Sequence, residues 1–183
     1  GRTWTTSYDV ATRTETTTTP AGRVSRSVRD AFGRTIEIES PDVLAITLAY
    51  DANGRLETTT QGTRVTTHGY GSDGLLAAFT DAESQSTTFA RDLNGRVTEE
   101  TRPDLAVTGF GYDTDGATTR VTPPSKPDHT MAYNSVDLLS GYNPPVLTSG
   151  ATPTTYFYDL DKQLEQMVQP GPRAVNYSYE FAG

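Results

Sequence analysis

A seven-residue pattern returns along the whole chain at a nearly constant interval. In its most complete form it reads Tyr-Asp-Ala-Asn-Gly-Arg-Leu at residues 50–56, and related copies start at residues 8, 29, 70, 91, 112, 133, 158 and 179. The successive spacings are 21, 21, 20, 21, 21, 21, 25 and 21 residues. A register held this tightly predicts a repeat architecture, in which each unit packs against its neighbours in sequence.

A second set of turn-forming residues lies half a period after each copy. Examples are Pro20-Ala21-Gly22, Pro103-Asp104 and Pro170-Gly171-Pro172, and Pro and Gly favour turns. Two turns per unit leave two strands of roughly seven residues, about 23 Å long at the usual rise per residue. Each repeat is therefore predicted to be a β-hairpin. The single 25-residue spacing predicts a longer loop around residues 142–150.

The composition also favours strands. The chain has 32 Thr and 10 Tyr among its 183 residues, and both residue types fit a pleated, half-buried surface. Only 34% of the residues are hydrophobic, which suits a sheet with one face in water. The sequence thus predicts an all-β fold: repetitive antiparallel β-hairpins of about 21 residues per repeat, forming a curled sheet or part of a spiral β-shell. Residues 1–183 are predicted to be a single array of repeats.

The strand entering each turn has two distinct faces. Large residues such as Leu48, Phe110 and Met131 lie two positions before the start of a copy, while small residues such as Ala49 and Gly111 lie one position before it. Residues two apart share a face of a strand. The large residues are therefore expected to pack as core, and this is preferred to a ligand-stacking platform.

The Asp at the second position of each copy has a structural interpretation. Its carboxylate can accept backbone hydrogen bonds within the turn, while Gly at the fifth position supplies a positive φ. A calcium ladder is the alternative, because Asp113-Thr114-Asp115-Gly116 resembles the start of a calcium loop, but the downstream Glu at the right spacing is missing. The residues assigned to the repeat turns are Tyr50, Asp51, Gly54, Arg55, Asp92, Gly95, Arg96, Tyr112, Asp113, Gly116, Asp30, Gly33, Tyr158 and Asp159.

Several function classes are disfavoured by the sequence. A formal net charge of −8 argues against nucleic-acid binding through a basic surface, and no apolar run approaches the length of a membrane span. Cysteine is absent, which removes disulfides and thiolate chemistry. His68 and His129 lack a catalytic or metal-ligand context, and Glu99 and Glu100 point to opposite faces of one strand. The chain is therefore expected to be non-enzymatic and to use no cofactor; a hydrolase built on paired carboxylates is the alternative from the enzyme class.

The pattern Tyr-Asp-x-x-Gly-Arg-Leu resembles the YD repeat of the Rhs (rearrangement hotspot) family, which is also found in the C component of Tc toxins and in teneurins. The resemblance covers essentially the whole chain, and it is most specific at residues 50–56 and 92–97. The copies at Tyr8, Tyr133 and Tyr158 lack the Gly. The resemblance implies a long hairpin ribbon that spirals into a hollow shell.

The resemblance also carries expectations about function. Bacterial shells of this kind enclose a C-terminal toxin, whereas teneurin shells support adhesion between cells. This chain is accordingly expected to be a shell segment of a large secreted or cell-surface protein, and the alternative is an adhesion or carbohydrate-binding segment. The expected partners are neighbouring repeats of the parent chain or other copies, an enclosed toxin domain, and glycans. The self-cleavage motif of bacterial members, Asp-Pro-x-Gly-Leu, is absent here, so no cleavage residue is assigned.

The two ends of the sequence fall inside the repeat pattern. Gly1 and Arg2 align with Gly22 and Arg23, and the last residues form the beginning of another turn. The sequence is therefore expected to be a fragment of a larger protein, with end strands that pair with neighbouring repeats or another copy.

Overall fold

A computed structural model describes residues 3–145, 153–171 and 173–179. These residues form seventeen β-strands and no helix, and so none of them lies in a helix that could cross a bilayer. The strands are β1 (Thr5–Asp9), β2 (Thr14–Thr18), β3 (Val24–Arg29), β4 (Thr35–Ser40), β5 (Val43–Tyr50), β6 (Leu56–Gln61), β7 (Arg64–Tyr70), β8 (Leu76–Thr80), β9 (Ser86–Arg91), β10 (Val97–Thr101), β11 (Val107–Tyr112), β12 (Thr118–Thr122), β13 (His129–Tyr133), β14 (Leu139–Asn143), β15 (Thr154–Tyr158), β16 (Leu164–Gln169) and β17 (Arg173–Asn176).

The strands belong to two compact units. The first comprises Gly1–Thr88 and the second Phe89–Gly183, with the boundary inside β9. Within the first unit, β1 to β9 pair antiparallel in chain order, and within the second unit β10 to β17 do the same. The predicted all-β fold of repeated antiparallel hairpins is therefore confirmed.

Six of the hairpins carry a β-bulge at the same point of the repeat. In the first unit the register shifts where the strand reaches residues 29, 50 and 70, and in the second unit where it reaches residues 112, 133 and 158. A bulge bends its strand and increases the local twist. The first residue of the repeat thus marks a recurring bend, which the sequence pattern did not predict.

The turns that follow these bulges share a positive φ at or near their fifth position. Gly33, Gly54 and Gly74, at the fifth position of their repeats, have φ values of 82°, 83° and 83°. Asp137 and Lys162 occupy the same position in two of the repeats that lack the Gly, and their φ values are 61° and 65°. The turn geometry is therefore imposed by the repeat rather than by glycine alone.

The expectation that the large residues form a core is wrong in one respect. None of the described side chains is fully buried; Leu48, Phe110 and Met131 are half-buried, whereas Ala49 and Ala132 on the other face are exposed. A side chain on a sheet face reaches full burial only when a second layer covers it. The direct strand partners of Leu48, Phe110 and Met131 are Thr59, Val121 and Tyr142, which lie on the same face.

Two predictions fall partly outside the described residues. β14 ends at Asn143 and β15 begins at Thr154, but residues 146–152 of the predicted longer loop are not described. The same is true of Gly1, Arg2 and Glu180 to Gly183, on which the expectation about the chain ends depends. Both remain predictions.

Replacing Lys162 by glycine should stabilise the protein. The left-handed conformation costs a residue other than glycine about 1–2 kcal/mol, and Lys162 is exposed with φ 65°. We expect Lys162→Gly to raise the free energy of unfolding by about 0.5–1 kcal/mol after the greater flexibility of glycine in the unfolded chain is subtracted. The measurement is urea denaturation, in which the midpoint should shift while the slope of the free energy of unfolding against urea concentration stays constant.

Gln163→Gly is the matched control, because Gln163 is next in sequence and has no positive φ. It should destabilise the protein, since glycine there adds flexibility to the unfolded state without relieving strain. Equal effects of the two substitutions would contradict the assigned turn geometry.

Candidate functional site

An Asp and an Arg of the same turn form a clamp in three repeats. In the turn that follows β5, Oδ1 of Asp51 accepts hydrogen bonds from the backbone N–H groups of Asn53 and Arg55, both at 2.9 Å. Oδ2 of Asp51 accepts from Nε of Arg55 at 2.7 Å and lies 2.7 Å from its Nη2. The pairs Asp30–Arg34 and Asp92–Arg96 have the same Oδ2–Nε distance of 2.7 Å.

The backbone part of this arrangement persists in turns without the Arg. Oδ1 of Asp113 accepts from the N–H groups of Asp115 and Ala117, and Oδ1 of Asp159 accepts from Asp161 and Gln163. The amide oxygen of Asn134 accepts in the same way from Val136 and Leu138, both at 3.0 Å. An acceptor at the second position therefore makes the same backbone hydrogen bonds without the Arg, and in the case of Asn134 without a charge.

The Tyr at the first position connects one repeat to the preceding one. The hydroxyl of Tyr50 donates to the carbonyl oxygen of Thr35 at 2.7 Å, and that of Tyr112 donates to the carbonyl oxygen of Val97 at 2.7 Å. In every case the acceptor is the seventh residue of the preceding repeat. The other pairs are Tyr70–Leu56, Tyr133–Thr118, Tyr158–Leu139 and Tyr179–Leu164, at 2.8, 3.0, 2.8 and 3.1 Å.

The Arg of each clamp also reaches the next repeat. The guanidinium carbon of Arg34 lies 4.4 Å from the ring centroid of Tyr50, and that of Arg55 lies 4.3 Å from the ring centroid of Tyr70. Arg96 has the same relation to Tyr112 at 4.7 Å. A planar cation over an aromatic face is attracted by the ring quadrupole. The carboxylate, the guanidinium and the ring thus form a relay from one turn to the next, which we call the Asp–Arg–Tyr relay.

Two repeats begin with Arg in place of Tyr. Nη1 of Arg29 donates to the carbonyl oxygen of Gly33 at 3.2 Å, and Nη1 of Arg91 donates to that of Gly95 at 2.8 Å. Each Arg therefore bonds to the backbone of its own turn, so the first position supplies a donor to a carbonyl group in both kinds of repeat.

Hydrogen bonding lowers the pKa of the clamp carboxylates. The backbone hydrogen bond from Arg55 is the largest influence on the pKa of Asp51, and with the Arg55 guanidinium it outweighs desolvation, so the pKa lies below the ordinary 3.8. For Asp30 and Asp92, desolvation raises the pKa more than any single contact lowers it. The hydrogen bonds from Arg34 and Arg96 and from the turn backbone together still bring both pKa values below 3.8. These carboxylates are therefore stabilised in the ionised form.

The described residues contain no cluster of side chains that could hold a metal ion. No group of three or more His, Asp or Glu side chains converges in the described part of the chain. Nδ1 of His129 lies 2.6 Å from the hydroxyl oxygen of Tyr142, and His68 packs edge-on against Phe79 with ring centroids 5.2 Å apart. Glu99 pairs with Gly109 and Glu100 with Thr108, which places the two carboxylates on opposite faces.

The structure brings together residues that the sequence analysis treated turn by turn. The assigned turn residues all lie in the turns or at the strand ends beside them. The stacking of Arg34, Arg55 and Arg96 on the Tyr of the next repeat was missed. A signal was available, because an Arg at the sixth position precedes Tyr50, Tyr70 and Tyr112 by 16, 15 and 16 residues.

Removing one Tyr hydroxyl should cost about 1 kcal/mol. Tyr112→Phe keeps the ring under Arg96 but leaves the Val97 carbonyl oxygen without this donor, and a typical hydrogen bond contributes about 0.5–1.5 kcal/mol. Tyr156→Phe is the control, since no hydrogen bond of its hydroxyl occurs among the described residues. The measurement is the free energy of unfolding in urea. An equal loss in both variants would argue against the bond between repeats.

The clamps should make stability depend on acid pH. A carboxylate with a lowered folded pKa adds stability that is present above its unfolded pKa, near 3.8, and lost as pH falls through the folded value. We therefore expect Asp51→Asn to be less stable than the wild type at pH 7 and the difference to shrink below pH 3.8. Unfolding measured at pH 7 and at acid pH tests this. A difference that is constant over this range would contradict it.

The repeats are similar to those of known proteins. A family model of the teneurin YD-shell matches residues 1–183. Teneurin-3 of Mus musculus is 36% identical over 100 residues, which cover 54% of this chain and 4% of teneurin-3.

Two solved structures are similar in fold. The crystal structure of TcdB2-TccC3-Cdc42 matches with a TM-score of 0.65 and 16% identity over 93% of this chain, and the crystal structure of TcdB2-TccC3 without hypervariable C-terminal region matches with 0.64 and 16% over 93%. The matches cover only 12% and 11% of those chains. With the family model spanning every repeat, the chain belongs to the teneurin YD-shell family.

Proposed function

We propose that this chain is a non-enzymatic wall segment of a YD shell in a large secreted or cell-surface protein, and that the shell encloses or presents a C-terminal toxin domain. The observation that carries the proposal is the contact between repeats: the Tyr hydroxyl bonds to the seventh residue of the preceding repeat in six places. These contacts hold hairpins in register where no described side chain is fully buried. Such a sheet can serve as a wall.

The recurring bulges support a curved wall. They fall at the same residue of successive repeats, and β-bulges bend the strands that carry them. A bend repeated in each hairpin favours the curl that a closed shell needs. The similar TcdB2-TccC3 structure is described as lacking a hypervariable C-terminal region, which suits a wall that serves different enclosed domains.

The test uses the longer protein that carries these repeats. Limited proteolysis should leave its C-terminal region intact while the shell is closed. The triple variant Tyr50→Phe, Tyr70→Phe, Tyr112→Phe weakens three contacts between repeats and should speed cleavage of that region severalfold. Leu93→Ser is the control, because its side chain is fully exposed at a turn tip and should leave the rate unchanged. Cleavage in the wild type as fast as in the separated C-terminal region would refute enclosure.

An adhesion or carbohydrate-binding role is the second candidate. The 36% identity to teneurin-3 over 100 residues favours it, and Tyr8 and Tyr179 offer exposed aromatic rings with 52% and 48% of their surface accessible. Glycan binding that is lost on Tyr8→Ala would support this role, and absence of binding to any glycan on an array would count against it.

A further inference from the structure

Two turn tips carry the dipeptide Asn-Gly. Asn53-Gly54 lies in the turn between β5 and β6, and Asn94-Gly95 lies in the turn between β9 and β10. Both Asn residues are exposed. The other asparagines of the chain, Asn134, Asn143 and Asn176, are followed by Ser, Pro and Tyr. Glycine has no side chain, so only in the two Asn-Gly dipeptides does the backbone nitrogen after the Asn lack this steric cover.

This backbone nitrogen can react with the side chain that precedes it. The nitrogen of Gly54, once it has given its proton to a base, attacks Cγ of Asn53. A bond from that nitrogen to Cγ forms, the bond from Cγ to Nδ2 breaks, and Nδ2 takes up a proton and leaves as ammonia. Water then opens the resulting five-membered imide to aspartate or isoaspartate. One water is consumed for each ammonia released, and nothing is oxidised or reduced.

The folded turn holds this nitrogen away from the reaction. The N–H of Gly54 donates to the carbonyl oxygen of Asp51 at 2.9 Å, and the N–H of Gly95 donates to the carbonyl oxygen of Asp92 at 3.0 Å. The nitrogen can lose its proton and turn toward Cγ only after this hydrogen bond breaks. The closed turn is therefore unreactive, and the reaction requires an open form.

The carboxylate of the clamp controls how often the turn opens. Oδ1 of Asp51 accepts from the N–H groups of Asn53 and Arg55, and Oδ2 accepts from the Arg55 guanidinium. The two N–H groups flank Gly54, so an opening that frees the Gly54 N–H has to break or distort these bonds. The clamp of Asp92 has the same bonds in its own turn. When opening and closing are faster than the reaction, the observed rate is the rate in the open form multiplied by the open fraction.

We propose that Asn53-Gly54 and Asn94-Gly95 are sites of spontaneous deamidation, and that the Asp of the same turn gates each of them. The product acts back on the gate. Isoaspartate inserts one extra methylene into the backbone of the turn, so Oδ1 of Asp51 no longer reaches both N–H groups. Because the clamp also places Arg55 over Tyr70, the change weakens the contact with the next repeat. The loss of ammonia is irreversible, so a modified turn stays loosened.

Each of the two sites serves as a reference for the other. Asn53 lies in the first compact unit and Asn94 lies in the second, and each turn has its own clamp. Local opening of one turn therefore leaves the other closed. A substitution in one clamp should change the rate at one site only, whereas global unfolding would raise both rates.

The first test follows both sites in one sample of the 183-residue chain at mildly alkaline pH, by peptide mapping with mass spectrometry. In the wild type both sites should react at least about tenfold more slowly than in denaturing urea. Asp51→Ala should speed the reaction at Asn53 about tenfold, because it removes several hydrogen bonds, and should leave the rate at Asn94 within about twofold. Asp92→Ala should do the converse. Equal rates in the folded and the denatured chain, or equal acceleration of both sites by either variant, would overturn the proposal.

The second test needs no variant that removes the acceptor. Amide hydrogen exchange of the Gly54 N–H reports the same opening, so folding should slow exchange and deamidation by factors that agree within about threefold. Asp51→Asn is a milder variant, because an Asn acceptor makes the same backbone bonds in the turn of Asn134. It loses only the charged pair, so it should speed both processes at this turn by one common factor of about two. Deamidation that changes without a matching change in exchange would show that the turn is not the gate.

Discussion

The hydrogen bond from a Tyr hydroxyl to a backbone carbonyl of the preceding repeat is the constraint on which the rest of this structure depends. A hairpin of two short strands is marginal alone in water, and here no described side chain reaches full burial. Stability must therefore come from the ladder of strand pairs and from specific contacts along it. The Tyr contact is suited to this role because its acceptor is a main-chain group whose position does not vary with the side chain, so Thr35, Leu56 and Val97 serve equally.

The Asp and the Arg of the relay add contacts of two kinds, one within a turn and one between neighbouring repeats. The carboxylate of Asp51 acts within its own turn, where it accepts two backbone hydrogen bonds, and it also fixes the guanidinium of Arg55. That guanidinium then lies over Tyr70 in the next repeat. A charge that would be worth little as an isolated surface pair thereby orients a ring that bonds to a neighbour. The Tyr and the Asp, which give the YD repeat its name, are thus connected through the Arg.

The sequence predicted the features that depend on residues close together in the chain, and it missed those that depend on other elements of the fold. The repeat period and the turn residues are local, so hairpins and strand order could be predicted from the spacing of Tyr50, Arg91 and Tyr112. Lys162 has a positive φ, as Gly54 does, and this could not be predicted from the preferences of a lysine. The half-burial of Phe110 could not be predicted from the alternation of large and small residues either. Alternation shows which residues share a face, but not whether a second layer covers that face.

The position of the Tyr acceptor has a consequence for how such chains change length. Tyr50 bonds to a residue 15 positions earlier, Tyr70 to one 14 earlier and Tyr158 to one 19 earlier, yet each acceptor is the seventh residue of its repeat. The surplus residues before Tyr158 lie between the end of β14 and the start of β15, at the half-period turn and not at a Tyr turn. Within each unit the Tyr turns are thus held to a fixed pitch relative to their acceptors, while the half-period turns can tolerate insertion. New loops, and whatever surface they create, can arise at the half-period turns without altering the contact between a Tyr and the preceding repeat.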